Sequence, residues 1–568
     1  MVRFPESANR TFLVVIPANL CYIYAVMSRL TRVSLMLALF FALDKGAAIL
    51  RQVIIGRQFG LSAELDAFNV ANNVPDLLYA LISGGALAVA FIPVLSEVLT
   101  SEGRDSAWDL FSRIANLAFI VTGGLSILIA LLAGWLVRVE LGIAPGFGAT
   151  QQALVVDLMR LNLLATLIFS ISGLVMAGLQ ANQHFFLPAL APLLYNFGQI
   201  FGAVFLAPAK GYTIAGLTFP SMALGVRGLV YGVILGALLH LGVQIPGLFL
   251  HRFHWTPRIG LDYPSVQKVL RLMGPRLVTM LFIQLIFLVR DNLASRLETG
   301  AVTALTYGWM IQQVPETLIG TAIGTALLPT LAKLVAQRDL QAFQQIIERT
   351  VRILIALTIP AAVILGLGLQ PLLQFAFGFN SEWTNLLLWA TRGFLLGLVS
   401  HCLLEVAARA FYAQQDAITP MVASSLNLLL YVVLGSQLYQ VLGAAGISLT
   451  DSLAYTIQAI FLLILLTRPP IKLVVNLRNL WRSIWERTQH KVVVDPPVKD
   501  LRLIVHYNVR QVLLRSFLAA AFSGGAVGLT QWIVGNQSPL LVGLAALAFG
   551  CLVTLPFIWQ ELRLLLRL

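Results

Sequence analysis

The stretch Asn73-Val74-Pro75-Asp76-Leu77-Leu78 returns, altered but in order, as Gln313-Val314-Pro315-Glu316-Thr317-Leu318. The pattern continues outward from both copies. Gly84-Gly85-Ala86-Leu87 and Pro93-Val94-Leu95 in the first correspond to Gly324-Thr325-Ala326-Leu327 and Pro329-Thr330-Leu331 in the second. Pro75 and Pro315 are 240 positions apart, Arg51 and Arg290 are 239 apart, and Pro93 and Pro329 are 236 apart. The second copy has therefore lost about one helical turn between its prolines. Further on, Asn182-Gln183-His184-Phe185-Phe186-Leu187-Pro188 parallels Gln414-Gln415-Asp416-Ala417-Ile418-Thr419-Pro420. One shared proline in two membrane helices is unremarkable, but a series kept in order over so long a stretch marks an internal repeat.

The repeat lies in a chain built for a bilayer. Of 568 residues, 58% are hydrophobic and only 11% are charged, too little polar surface for a soluble protein of this size. A span needs ~20 apolar residues, and about fourteen segments qualify, the first near 33–57 and the last near 538–562. The expected fold is an all-α polytopic membrane protein. Each copy holds six spans, so both begin on the same membrane side, as in parallel repeats with a substrate site between the lobes. The expected divisions are an extension at 1–26, an N-lobe at 27–250 (helices 1–6), a C-lobe at 251–469 (helices 7–12), a basic linker at 470–510, and helices 13–14 at 511–568. Residues 1–26 read either as a targeting segment or as an extension before a start at Met27.

The net charge of +13 is topogenic. Lysines and arginines concentrate in alternate loops, which places both termini in the cytoplasm. Nucleic-acid binding is excluded, because such scattered charges make no single basic face. The linker holds the largest group, including Lys472, Arg478, Arg482 and Lys491, beside Trp481 and Trp485. It reads either as an interfacial helix on anionic lipids or as a solvated connector. Cys21, Cys402 and Cys551 show no pairing or metal spacing, and no phosphate-binding Gly-rich loop or HExxH is present. No cofactor, metal or enzymatic activity is expected.

Charge at membrane depth is costly and usually faces a cavity or a partner. Asp44 and Arg51 are seven apart and share one helical face, whereas Lys45 points about 100° away from Asp44. Arg51, Lys45 and Arg290 are candidate ligands for an anion: arginine grips phosphate oxygens with a planar fork, and lysine acts as a point charge. The alternative for Arg51 is a structural pair or a side chain reaching for the interface. Arg290 and Asp291 are adjacent, so one can line a cavity while the other meets a neighbouring helix. Candidate gating or coupling residues are Asp44, Asp66, Asp76, Asp291, Glu316 and Glu405. For Asp66 the plainer reading is a cap on its own helix. Glu405 reads either as the partner of Arg409 one turn on or as a proton carrier beside His401.

Asp66-Ala67-Phe68 with Val74-Pro75, Phe91-Ile92-Pro93-Val94-Leu95, Pro188-Ala189-Leu190-Ala191-Pro192 with Asn196, Gly324-Thr325-Ala326-Leu327-Leu328-Pro329, and Phe411-Tyr412-Ala413 with Asp416, Thr419 and Pro420 together resemble the MurJ/MviN lipid II flippases. These belong to the MATE-like MOP exporter superfamily. The resemblance runs from about Met27 through the two last helices. It implies alternating-access flipping of a polyprenyl-pyrophosphate-linked saccharide, most simply lipid II for peptidoglycan synthesis, across the bacterial inner membrane. It also implies a central cationic cavity for the pyrophosphate and a groove at the two last helices for the lipid tail. Other readings are export of another lipid-linked oligosaccharide, such as an exopolysaccharide repeat unit, and a non-transporting envelope scaffold. This chain diverges where the family pattern implies arginines, carrying Tyr79 and Met310, and it has Gln52 in place of an acidic residue. Arg290 stands where the family pattern has no charge, so the cavity cations are expected to be rearranged.

Overall fold

A computed structural model describes residues 29–82, 85–210, 213–214, 217–218, 220–467 and 509–565. The proposed extension at 1–26 and nearly all of the 470–510 linker lie outside them. The first repeat comprises α1 (Arg29–Phe59), α2 (Ala63–Ile82), α3 (Gly85–Ser101), α4 (Arg104–Arg138), α5 (Ala149–Ala181), α6 (Phe186–Phe201), α7 (Val226–Gly242) and α8 (Ile245–Leu250). The second comprises α9 (Pro264–Ala294), α10 (Ala301–Glu316), α11 (Ala322–Ala336), α12 (Leu340–Phe377), α13 (Ser381–Leu396), α14 (Leu398–Ala413) and α15 (Ile418–Thr467). The last pair is α16 (Val509–Val534) and α17 (Pro539–Leu565).

Helical pairings repeat along with the sequence. In the first copy α1 packs on α6 and α2 on α5; in the second α9 packs on α15 and α10 on α13. The copies meet where α2 and α3 lie against α9 and α10, and α16 and α17 pack on each other and on α12. Proline is tolerated inside these helices because neighbouring segments satisfy the backbone groups it frees. The equivalent Pro75 and Pro315 both sit within helices. After Pro315 the backbone widens into a π-turn at Thr317–Thr321 before α11 begins, a distortion that often marks a functional position.

Two details differ from expectation. Besides helices, the chain forms a small antiparallel hairpin, β1 (Thr213–Ile214) on β2 (Leu217–Thr218). Ten described helices are long and apolar enough to cross a membrane, with the pair Ser381–Leu396 and Leu398–Ala413, bent by 42°, as an eleventh, against about fourteen expected segments. Part of the difference lies in α15. Its 50 residues are interrupted by a non-helical Gly443 at φ 57°. Asn427 donates to Gln458 at 2.6 Å, a pairing centred on Gly443, so the two halves run antiparallel and this element crosses twice.

The crossing of α7 with α6 and the π-helical turn Gly202–Leu206 that continues it depends on residues without side chains. A Cβ on Gly202 would lie 2.6 Å from the Gly232 Cα, and one on Gly232 would lie 2.8 Å from the Gly202 Cα. Both obstacles are backbone, which cannot swing aside. Close approach through small residues supplies van der Waals contact where lipid removes the hydrophobic driving force between helices. Gly232→Val should therefore destabilise the protein by about 1–3 kcal/mol, whereas an added methyl at an open position stays within about 0.5 kcal/mol. Thermal unfolding in detergent checks this against Gly242→Ala, where nothing lies within 4 Å of the new Cβ. Equal melting temperatures for the two variants would contradict the packing argument.

Candidate functional site

α6 is held close to α7 so that its other face can reach α1. From it Asn196 projects between two charges of α1. Arg51 donates through Nη1 to the Asn196 carbonyl at 2.9 Å, and the Asn196 amide donates to the Asp44 carboxylate at 2.8 Å. The shared face expected from the seven-residue spacing is used, with an amide from another helix as the bridge. Arg51 Nε is buried without a hydrogen-bond partner. The guanidinium thus keeps donor capacity beyond what the protein uses.

Arg51 borders a cavity of about 590 Å³ between the repeats, which also receives Asp76, Tyr79, Arg290, Thr306 and Trp309. The two arginines at matching places in the repeat therefore converge on one space. Arg290 is buried and pairs with Asp291 at 2.9 Å. Its guanidinium also lies 5.1 Å from the Phe287 ring centroid and within 3.5 Å of the Thr306 hydroxyl. Asp291 is fully buried and takes a further hydrogen bond from Asn73 on α2. Adjacency in sequence did not separate this pair: Asp291 joins both Arg290 and the opposite repeat. Asp76 opens into the cavity and interacts electrostatically with Arg51. The charged side chains lining this space are Arg51, Arg290 and Asp76, one net positive charge with the carboxylate ionised. Tyr79 lines the wall where the family pattern implies an arginine, so this position adds no cation to the lining.

Two expectations need correction. Lys45 is exposed and is not among the lining residues. The 100° between it and Asp44 turns it onto the outer face of α1, where Leu43, Ile49 and Leu50 are also exposed. Asp66 does not cap its own helix, whose first turn is served by Ser62, accepting from Leu65 N–H at 3.2 Å. Instead Asp66 caps α10 in the other repeat, accepting from Gly300 N–H at 2.6 Å, Thr303 N–H at 2.8 Å and the Thr303 hydroxyl at 2.6 Å. Of the two readings of Glu405, the pair with Arg409 on its own helix is the one formed, and the residue lines a separate cavity of about 540 Å³. Glu316, the repeat counterpart of Asp76, does not reach the central cavity. It accepts from Gln312 at 3.2 Å and lies 3.8 Å from His401.

Sequence reasoning missed Asn196 as a bridge, Asn73 as the partner of Asp291, and Asp451 as the partner of His401. For Asp451 a signal existed, a lone acid in an apolar run. Among the described residues no cluster of histidine, cysteine and carboxylate side chains is placed to hold a metal ion.

This architecture has relatives. The family model described as Lipid II flippase MurJ matches residues 55–494. The Lipid II flippase MurJ of Burkholderia cenocepacia is 30% identical over 435 residues, covering 74% of this chain and 81% of that protein. A probable lipid II flippase MurJ of Treponema pallidum is 25% identical over 453 residues, covering 78% and 82%. Among solved structures, a lipid II flippase MurJ in an inward closed conformation superposes with a TM-score of 0.71 at 20% identity, covering 94% of this chain and all of that one, 100%. An inward-facing multidrug resistance MATE family transporter of the MOP superfamily superposes with a TM-score of 0.60 at 15% identity, covering 78% and 96%. These structures share the fold, and the sequence matches define the group: this chain belongs to the lipid II flippase MurJ family.

Proposed function

We propose that this protein flips lipid II across the bacterial inner membrane by alternating access. The observation that carries the reading is the convergence of Arg51 and Arg290, from equivalent places in two repeats, on one cavity. A pyrophosphate offers oxygens to both. Each charge-assisted contact contributes about 1.5–3 kcal/mol. Arg51 is oriented by Asn196 and Asp44 and has donors to spare; Arg290 is balanced by Asp291 and offers its remaining edge. Asp76 supplies a counter-charge that holds Arg51 while the site is empty and that the incoming phosphate displaces. The two repeats rock about this site, opening it first to one leaflet and then to the other. Family membership supports lipid II as the cargo. The loop charges support cytoplasmic ends, and the basic residues of the 470–510 linker support contact with anionic lipids of the inner leaflet.

The test is replacement. In a bacterium depleted of its resident lipid II flippase, this chain should restore growth and lysis resistance, and purified protein in vesicles should move lipid II between leaflets. Absence of rescue by protein present in the membrane at normal levels, together with no flipping in vesicles, would overturn the assignment.

A further inference from the structure

A second group of buried ionisable side chains lies in the C-terminal repeat, apart from the central cavity. His401 on α14 meets Asp451 of α15 at 2.9 Å through Nε2 and faces Glu316 of α10 at 3.8 Å through Nδ1. Its ring stacks on Tyr455 with centroids 3.9 Å apart and planes 18° from parallel. Asp451 and Glu316 are the charged groups that face the ring from the helices packed around it. Among the described residues, no lysine or arginine pairs with either carboxylate. With the ring neutral and both carboxylates ionised, the trio would hold two uncompensated negative charges at membrane depth, an arrangement that favours uptake of a positive charge.

The geometry specifies a proton as that charge. In the tautomer that donates from Nε2 to Asp451, Nδ1 carries a lone pair toward Glu316. A proton added there makes the ring a cation between two carboxylates and converts both contacts into charge-assisted ones. The ring itself fills the space between the carboxylates. On one side a single side chain separates the ring from open space: Tyr455, stacked on the ring, also lines the separate cavity with Glu405 and Gln458. On the other side the Tyr431 hydroxyl is buried without a partner and interacts electrostatically with Asp451 and with Arg290 of the central site.

A link to movement is built in. Glu316 ends α10, directly after Pro315 and before the π-turn at Thr317–Thr321. The same helix brings Thr306 to Arg290, and its other end is capped by Asp66 of the first repeat. Drawing Glu316 toward a charged ring therefore pulls on the helix that walls the central cavity.

We propose that His401, held between Asp451 and Glu316, is a proton-binding site through which a transmembrane proton gradient drives the rocking of the repeats. The coupling rests on the transport reading above; the proton site does not. Two measurements separate them. Ring-nitrogen NMR of 15N-histidine-labelled protein in detergent should show one histidine, absent in His401→Gln, that gains a proton between about pH 5 and 8 and whose titration moves in Asp451→Asn. In vesicles carrying lipid II, a pH difference of about one unit, acid on the receiving side, should speed wild-type flipping by up to about tenfold, one pH unit being worth tenfold per coupled proton. His401→Gln should flip at its gradient-free rate whatever the gradient. A His401 ring whose signals stay fixed across that range overturns the site, and a His401→Gln protein with the full gradient response overturns the coupling. If no form flips lipid II at all, the transport reading fails while the ring titration still decides the site.

Discussion

Arg51→Ala lowers lipid II transport by at least about tenfold with membrane levels unchanged, since a charge-assisted contact of about 1.5–3 kcal/mol corresponds to a factor of ten or more. The structure explains why folding should be spared. Removing the guanidinium leaves Asn196 bonded to Asp44, and the vacated space opens onto a cavity, so no buried charge is stranded. Arg51→Lys should recover only part of the rate, because an ammonium cannot reach Asn196 and two phosphate oxygens with the geometry of the fork. Flipping measured in vesicles at matched protein density checks the series. Full activity of Arg51→Ala would remove the arginine from the mechanism.

Arg290→Ala behaves differently, and the difference is diagnostic. Here the partner is stranded: Asp291 is fully buried and, among the described residues, has Arg290 as its ion pair and Asn73 as its other donor. Breaking a buried pair from one side costs about 3–5 kcal/mol, so this variant should fall sharply in folded yield as well as in transport. Arg290→Gln combined with Asp291→Asn removes both charges, and its yield should recover while transport stays low. Fluorescence-detected size-exclusion profiles report the first quantity and vesicle flipping the second. Transport returning along with yield in the double variant would reduce Arg290 to a structural role. On the proposal that both arginines address one pyrophosphate, adding Arg51→Ala to the double variant should cost less than the separate losses combined.

The repeat was legible because it is written in proline and arginine, residues whose positions in a membrane helix are constrained. Ordered offsets from Pro75 to Pro315 and from Arg51 to Arg290 were enough to place two cations on one axis, and the packing of equivalent helices follows the same pairing. Spacing within a helix was also legible: Asp44 and Arg51 do share a face. Partners across helices were not. Asn196 lies 145 positions from Arg51, Asp66 reaches residues 234 and 237 positions away, and His401 meets Asp451 50 positions on. Periodicity fixes the direction of a side chain around its own axis but not which neighbour occupies that direction. Lys45 illustrates the same limit, since its angle from Asp44 was clear but not which side of α1 would be left uncovered.

The cap that Asp66 places on α10 bears on timing. The first repeat grips the second by the end of a helix, with one carboxylate satisfying two backbone amides and a hydroxyl. Parting the repeats at that end starts with releasing this carboxylate, and water must then replace all three donors together. At about 0.5–1.5 kcal/mol for each hydrogen bond, the contact should lengthen the lifetime of the arrangement in which the repeats are joined at this end by about one to three orders of magnitude. On the alternating-access proposal, a side chain outside the central cavity would thus act as an escapement, setting how long the machine waits between strokes.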